Sequence, residues 1–175
     1  MTPGAAEAPS LEMRRFAIRR RAFANLLLVL REEARRSRGR FEVEGMPDAV
    51  LLRFWDVVTL VAHEGVFAVE PRDFTVIVVC PPLWPFDREA ALVPIAVAPM
   101  EFRHPNSDSH QFCLDTRGIR PERLAELIFD NLRLKKRRLD HCVDHAAADF
   151  VRSHLADRPA DPRPLHPEES RPRPS

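Results

Sequence analysis

The stretch FEVEGMPDAVLLRFWDVVTLVA, Phe41 to Ala62, decides the fold class. Its two halves are rich in Val, Leu and Phe, and the turn-forming letters MPDA between them are typical of a connection between two β-strands. Two further stretches have the same character, DFTVIVVC at 73–80 and ALVPIAVA at 91–98, with HEGVFAVEPR and PPLWPFDREA as the connections. The sequence therefore predicts four strands in an antiparallel meander. Pro94 indicates that the last strand starts late or lies at an edge.

Helical periodicity appears on both sides of these strands. Ser10 is a favourable N-cap, Gly39 is a natural stop, and the residues between them predict one long helix. Its expected buried stripe is Phe16, Phe23, Leu27, Leu30 and Ala34. After the strands, PERLAELIFDNL opens with Pro121 in a first-turn position, and Asp140 to Leu155 predicts a further helix. This order predicts an α+β domain with a long N-terminal helix, a four-stranded antiparallel meander, a loop and C-terminal helices.

The two ends of the chain differ from the middle in composition. Residues 1–10 are small and contain proline, and residues 157–175 carry six prolines with few apolar side chains. Segments of this kind bury too little apolar surface to offset the entropy of ordering, so both ends are predicted to be disordered. One domain over residues 11–156 remains, which suits a chain of 175 residues.

Charge and cysteine usage limit the function classes. The chain has 27 basic and 26 acidic residues, a formal net charge of +1, so nothing in the total charge favours nucleic acid or an anionic membrane as a partner. The apolar run Leu26–Leu30 is far shorter than the roughly 18 residues of a membrane span. An odd count of three cysteines without framework spacing, and an N-terminus without the apolar core of a secretion signal, predict a cytoplasmic protein.

The loop HPNSDSHQFCLD, His104 to Asp115, contains the cysteine of greatest interest. Cys113 has polar neighbours, and a long polar loop in a compact domain is usually functional. An accessible thiolate is a strong nucleophile, so Cys113 is interpreted as one, the alternative being a small core residue. Cys80 ends the apolar run TVIVVC and is predicted to be buried.

Two other clusters have simpler interpretations. In LDHCVDH, His141 and His145 lie one helical turn apart beside Cys142, but structural zinc takes four ligands and no partner set appears elsewhere in the chain. We therefore predict no metal and no cofactor. The basic run LKKRRLD is interpreted as the solvated end of the preceding helix, beside the negative end of its dipole.

Three short motifs in order resemble the ubiquitin-conjugating enzymes: LWPFD at 83–87, HPN at 104–106 and CLD at 113–115, followed by IRPERLAELIFDNL. The match covers about residues 11–155. The chain is most similar to bacterial members encoded beside a ubiquitin-like protein and an activating enzyme, a context that implies antiphage defence. It departs from the family in a gap from Asn106 to Cys113 that is one residue shorter than is common, and in Trp84 where tyrosine is usual.

The resemblance implies roles for the loop residues. Cys113 would carry a ubiquitin-like protein as a thioester and pass it to an amine. Asn106 would either donate to the oxyanion or brace the loop through its backbone. His104, Pro105 and Asp115 would shape the active-site loop.

The resemblance also implies partners, namely a ubiquitin-like protein, an activating enzyme, and a ligase or target protein. The activating enzyme would dock on the first helix through Arg14, Arg15 and Arg19, and the exposed rim around Trp84 and Phe86 would meet a ligase. Membrane and nucleic acid are not among the expected partners. A different function stays open: a non-enzymatic adaptor or interaction module on the same fold.

Overall fold

A computed structural model describes residues 10–87, 89–108, 111–112 and 114–167. The predicted α+β class is confirmed: a long helix is followed by an antiparallel sheet and then by two helices. The helices are α1 (Leu11–Arg36), α2 (Pro121–Leu132) and α3 (His145–His154). The strands are β1 (Phe41–Gly45), β2 (Ala49–His63), β3 (Val66–Val79), β4 (Val93–Ala98), β5 (Ser107–Asp108) and β6 (Gln111–Phe112).

The sheet has the order β1-β2-β3-β4-β6-β5 within the described residues, and each neighbouring pair is antiparallel. Its first four strands form the predicted meander. β2 and β3 are longer than predicted, because most of the expected connection HEGVFAVEPR is strand and only Glu64 and Gly65 turn the chain. Both have positive φ, as a tight two-residue hairpin turn requires. β4 starts late, at Val93.

Helix α1 begins and ends close to the predicted positions. The Ser10 side chain accepts a hydrogen bond from the Met13 amide at 3.2 Å, which confirms the N-cap. The predicted apolar stripe is wrong at Phe16 and is confirmed from Phe23 onwards. Phe16 is 67% exposed, and the buried residues, Leu26, Leu30 and Glu33, all lie in the second half. Since Phe23 is partly buried against the core, α1 packs on the core from this residue onwards.

The main core lies where the sheet meets α1 and α2. Phe54 on β2 stacks between Phe41 on β1, at 5.2 Å between ring centroids, and Phe129 on α2, at 6.0 Å. α2 contributes a fully buried face, whose members are Leu124, Ala125, Ile128, Phe129 and Leu132. This packing holds the end of α2 against β2, where the Thr59 hydroxyl donates to the Leu132 carbonyl at 2.5 Å.

The C-terminal helix is shorter than predicted. α3 begins at His145 rather than at Asp140, and the Asp144 side chain caps it by accepting from the Ala147 amide at 2.9 Å. Residues 133–144 form an irregular loop instead. α2 ends at Leu132 and Leu134 has a positive φ, so the basic run LKKRRLD is not part of a helix end as the sequence analysis proposed.

Residues 157–167, called the strap below, correct the prediction of a disordered tail from residue 157. Asp161 is fully buried, and Leu165 is 2% exposed in the main core. The Asp161 carboxylate accepts from the Val58 amide at 3.2 Å, and the Arg133 guanidinium donates to the strap's Arg163 carbonyl at 2.8 Å. The strap is ordered because its carbonyls and carboxylate satisfy buried donors of the domain. The remaining predicted tail, residues 168–175, and residues 1–9 lie outside the described residues.

None of the helices in the described part of the chain combines the length and the apolar character that crossing a membrane requires.

Candidate active site

In the His-Pro-Asn turn, His104 and Pro105 are buried, and the His104 ring is hydrogen-bonded on both sides. The ring Nδ1 accepts from the Asn106 amide at 3.0 Å, and Nε2 lies 3.0 Å from the Lys136 carbonyl. Because a carbonyl only accepts, the ring carries its hydrogen on Nε2. Burial lowers the pKa of His104 to about 4, against the opposing effect of the Lys136 hydrogen bond. The ring is therefore neutral near pH 7 and has no free nitrogen for proton transfer.

The Asn106 side chain clamps the loop after α2. Its Nδ2 donates to the Arg138 carbonyl at 2.7 Å and to the His141 carbonyl at 2.8 Å, and its Oδ1 accepts from the Arg138 amide at 2.6 Å. Both amide hydrogens are thus used. Pro105 adds to the same junction, because its carbonyl accepts from the Val143 amide at 2.7 Å. In this arrangement Asn106 braces the backbone and has no hydrogen free for an oxyanion.

Cys113, the predicted nucleophile, lies outside the described residues. Its chain neighbours are described. Phe112 is 3% exposed and packs edge-on against Phe102 at 5.8 Å, and Leu114 packs against the main core. Thr116 is buried and its hydroxyl donates to the Leu92 carbonyl. The chain on each side of Cys113 is thus anchored to the core.

Asp115, predicted to shape the loop, is exposed and paired with Arg117. The guanidinium Nε lies 2.8 Å from one carboxylate oxygen and a terminal nitrogen lies 2.9 Å from the other, which is a bidentate pair. The Arg117 side chain and amide hold the pKa of Asp115 at about 2. The carboxylate is ionised and its charge is neutralised within the loop.

A groove of about 680 Å³ lies beside the turn. Asn106, Leu114 and Asp115 line one part of it, so the turn and the CLD motif meet in the same depression. Arg117, from the loop before α2, also lines it, and the rest of the lining comes from α2 and the loop after it: Leu127, Asn131, Lys136, Arg137, Arg138, His141 and Val143. Sequence reasoning missed this contribution, although the run LKKRRLD carried the signal as a dense group of cations.

The three arginines assigned to the activating enzyme differ in their surroundings. Arg14 and Arg15 are exposed on the first turns of α1. Arg19 is partly buried. Its guanidinium donates to the carbonyls of Cys80 at 2.7 Å, Pro81 at 2.6 Å and Trp84 at 2.8 Å. Arg19 therefore ties α1 to the segment after β3, and a docking surface would use its exposed neighbours.

The predicted ligase-facing residues also differ from each other. Trp84 is half-buried and packs against the main core, whereas Phe86 is 42% exposed. The segment folds through a cis Trp84–Pro85 bond and a turn in which the Phe86 amide donates to the Leu83 carbonyl at 2.8 Å. Phe86 and Leu83, which is 62% exposed, form the apolar rim available to a partner.

The other two cysteines have different environments. Cys80 is 2% exposed, and burial raises the pKa of its thiol to about 11, so it is inert. The Cys142 sulfur lies 3.3 Å from Nδ1 of His145 at the start of α3. The His141 side chain contacts Asp140 instead, at 3.5 Å. Among the described residues, no three His, Cys, Asp or Glu side chains are grouped as a metal site would need.

Comparisons with protein-family models, with curated proteins and with solved structures found no match to this chain. The resemblance to ubiquitin-conjugating enzymes therefore rests on the three motifs and on their order along the chain.

Proposed function

We propose that this chain is a ubiquitin-conjugating-type enzyme of the bacterial cytoplasm, with the fold of that family. Its Cys113 accepts a ubiquitin-like protein from an activating enzyme and transfers it to a target amine. The observation that carries the proposal is the hydrogen bonding of the His-Pro-Asn turn. The side chains of His104 and Asn106 donate to backbone carbonyls of the loop after α2. An arrangement so fully hydrogen-bonded is a rigid support beside a reactive loop.

The chemistry needs few groups. The Cys113 thiolate attacks the thioester carbonyl of the loaded activating enzyme, a new C–S bond forms, and the activating enzyme's thiolate leaves. A target amine then attacks the Cys113 thioester, the C–N bond forms, the amine loses a proton, and the Cys113 thiolate leaves. His104 takes no part in the proton transfers, because both its nitrogens are engaged and it is neutral. Asn106 acts as a positioning residue.

One observation favours the alternative of a non-enzymatic adaptor. Both Nδ2 hydrogens of Asn106 go to backbone carbonyls, so the turn offers an oxyanion no side-chain donor in this arrangement. An adaptor would use the same braced turn as a rigid binding surface and would leave Cys113 unmodified.

Loading separates the two functions. The protein is incubated with ATP, an activating enzyme and the ubiquitin-like protein encoded beside it, and adducts are separated by electrophoresis with and without thiol. We expect one thiol-sensitive adduct that Cys113→Ala abolishes. Cys142→Ala is the matched control. Cys142 is a second thiol in a polar segment of the chain, and its sulfur lies near a histidine nitrogen. An adduct that persists in Cys113→Ala and vanishes in Cys142→Ala would overturn the assignment, and no adduct with any variant would favour the adaptor.

The bracing role of Asn106 has its own test. Asn106→Ala removes three hydrogen bonds to residues 138 and 141, and we expect slower transfer together with faster amide hydrogen exchange in that loop. Slower transfer with unchanged exchange would instead assign Asn106 to the oxyanion.

A further inference from the structure

The groove beside the turn has apolar walls and a cationic rim. Leu114, Leu127 and Val143 supply apolar surface, and Val143 is 54% exposed. The volume of about 680 Å³ is within the range of roughly 300–1,000 Å³ that is typical of ligand sites. The groove is thus large enough for several side chains of an extended segment.

Two cations of the rim are not neutralised. Lys136 and Arg138 are exposed, and neither side chain makes an ion pair with another described residue. Among the described residues that line the groove, Asp115 is the only carboxylate, and it is held by Arg117, which also contacts Glu89 at 3.3 Å. The groove therefore presents two unpaired positive charges, whose potential attracts anions.

These cations sit on fixed backbone. Asn106 binds both the amide and the carbonyl of Arg138, and His104 binds the carbonyl of Lys136. The Lys136 amide in turn donates to the Asp130 carbonyl at 3.0 Å. A ligand that meets Lys136 and Arg138 would not have to order the backbone that carries them, which lowers the cost of binding.

We propose that this groove binds an extended acidic peptide segment, with its carboxylates on Lys136 and Arg138 and its apolar side chains against Leu114 and Leu127. A peptide suits the site better than a nucleic acid, because nucleic acid needs a longer basic track and the groove alternates charge with aliphatic surface. The further statement that the segment flanks the acceptor amine rests on the proposed function. The binding itself does not.

Binding is measured by fluorescence anisotropy with a short labelled peptide that alternates Glu and Leu, against matched peptides with Gln or Lys in place of Glu. We expect the Glu peptide to bind at least about tenfold more tightly than the Gln peptide at low salt, and to weaken as salt rises. Equal affinity for the Glu and Gln peptides would overturn the proposal. So would displacement of the peptide by a single-stranded oligonucleotide that binds more tightly, since the site would then be a nucleic-acid site.

Two variants of the groove test whether the peptide binds there. The double variant Lys136→Glu with Arg138→Glu is expected to lose about tenfold or more in affinity for the Glu peptide and to gain affinity for the Lys peptide. Arg20→Glu with Arg31→Glu, both exposed on α1, changes the net charge equally and should leave binding unchanged. Lys136→Met with Arg138→Met gives a second test without charge reversal. Equal effects of the groove and α1 variants would reject the groove.

Carbodiimide cross-linking gives the position directly, because Lys135 and Lys136 are the only lysines of the chain. Lys135 contacts the Asp130 carboxylate at 3.2 Å, whereas Lys136 lines the groove. We expect peptide carboxylates to couple to Lys136 in preference to Lys135. Coupling to Lys135 alone would contradict the assignment.

The acceptor statement is tested separately. A Glu-rich peptide that contains one lysine should be modified faster by loaded protein than its Gln counterpart, and the groove variant should remove the difference when transfer is expressed per loaded molecule. If Cys113 never loads but Cys113→Ala binds the Glu peptide normally, the proposed function fails and the acidic-peptide site stands. If loading succeeds and peptide charge has no effect on binding or transfer, the site fails and the proposed function stands.

Discussion

The first turns of α1 expose their apolar side chains, whereas the strap buries its single leucine. Leu11 and Phe16 are each 67% exposed, and Leu165 is 2% exposed. The strap reaches the core because buried arginines need acceptors, and Asp161 with the nearby carbonyls supplies them. Burial at the two ends is thus decided by unsatisfied groups on the facing surface as much as by the hydrophobicity of the segment itself.

The largest effect is expected at the polar anchor of the strap. Asp161→Ala removes the carboxylate that lies 2.8 Å from Arg163 and 3.4 Å from Arg40, and it leaves the Val58 amide without its acceptor. Leaving partly buried donors such as Arg40 and the Val58 amide without an acceptor costs about 1–3 kcal/mol each, so we expect a total loss of about 3–5 kcal/mol in the free energy of unfolding. Urea denaturation measures it.

Asp157→Ala is the control for this variant, because Asp157 is an exposed carboxylate of the same strap. Its effect should stay within about 0.5 kcal/mol. If the two variants unfold at the same urea concentration, the strap is not held by Asp161.

The apolar anchor of the strap should matter slightly less. Leu165→Ala removes a side chain that is 2% exposed and leaves a cavity, at a cost of about 2–4 kcal/mol. Leu11→Ala makes the same chemical change at a 67% exposed position, and its cost should be below about 0.5 kcal/mol. Thermal unfolding of the two variants checks the contrast between the ends, and equal destabilisation would remove it.

The pH dependence of stability separates the turn from the strap. Because the pKa of His104 is lowered to about 4 in the folded state, the unfolded chain binds a proton at higher pH than the folded one. Stability from this group is therefore full above pH about 6.5 and is lost as the pH falls towards 4, up to about 3 kcal/mol. His104→Gln, although less stable near pH 7, should show a flatter curve over this window, measured by urea denaturation at each pH.

Asp161 acts in a lower pH window. Burial alone would raise its pKa, but hydrogen bonds from Arg163 and Val58 hold the pKa below the ordinary value of a carboxyl group. Its contribution is lost only below about pH 4, as the carboxylate takes up its proton. A His104→Gln curve as steep between pH 6.5 and 4 as that of the unchanged protein would contradict this division.

The smallest effect on stability is expected at the exposed end of α1. The effect measured there is on the rate at which Cys113 is loaded. Arg21 is exposed on α1 like Arg14 and Arg15. Reversing these three arginines to Glu should leave unfolding almost unchanged and slow the loading of Cys113 several-fold at low salt. Arg19 is spared because its three carbonyl contacts are structural. Since the Debye length is about 8 Å at physiological salt, the difference should shrink there.

Arg31→Glu, on the exposed face of the second half of α1, is the control for the reversal. Loading rates that do not respond to the triple reversal at low salt would leave these arginines as a solvated helix face.

Periodicity was sufficient for the elements that bury one apolar face. The meander and the start of α2 at Pro121 were predictable because the spacing of apolar residues such as Leu124 and Ile128 indicates which side chains are buried. The strap was not predictable in this way, since its order depends on Arg40, which lies 124 residues before its partner Pro164, and on Arg133, which lies 30 residues before Arg163. Local composition carries no information about a donor more than 100 residues away.

In the candidate site, too, one part was predictable from local sequence and the other depends on residues elsewhere in the chain. The motif predicted that His104 and Asn106 form a turn, but not which carbonyls they would bind, because those belong to residues 136–141. Lys136 and Arg138 were missed as site residues because a basic run after a helix is usually a solvated end. Cys113 lies outside the described residues, so its assignment stays a prediction.

The long reach of the strap has a consequence for biosynthesis. Val58 is 103 residues from Asp161, and the Arg163 side chain bonds Asp56 across 107 residues. During synthesis from the N-terminus, β2 therefore emerges long before its partners and carries an unpaired amide and an unfilled core position until the strap follows. Closing such distant contacts is entropically slow. The strap is thus the last of the described segments to dock, and the nascent chain has to stay soluble until it does.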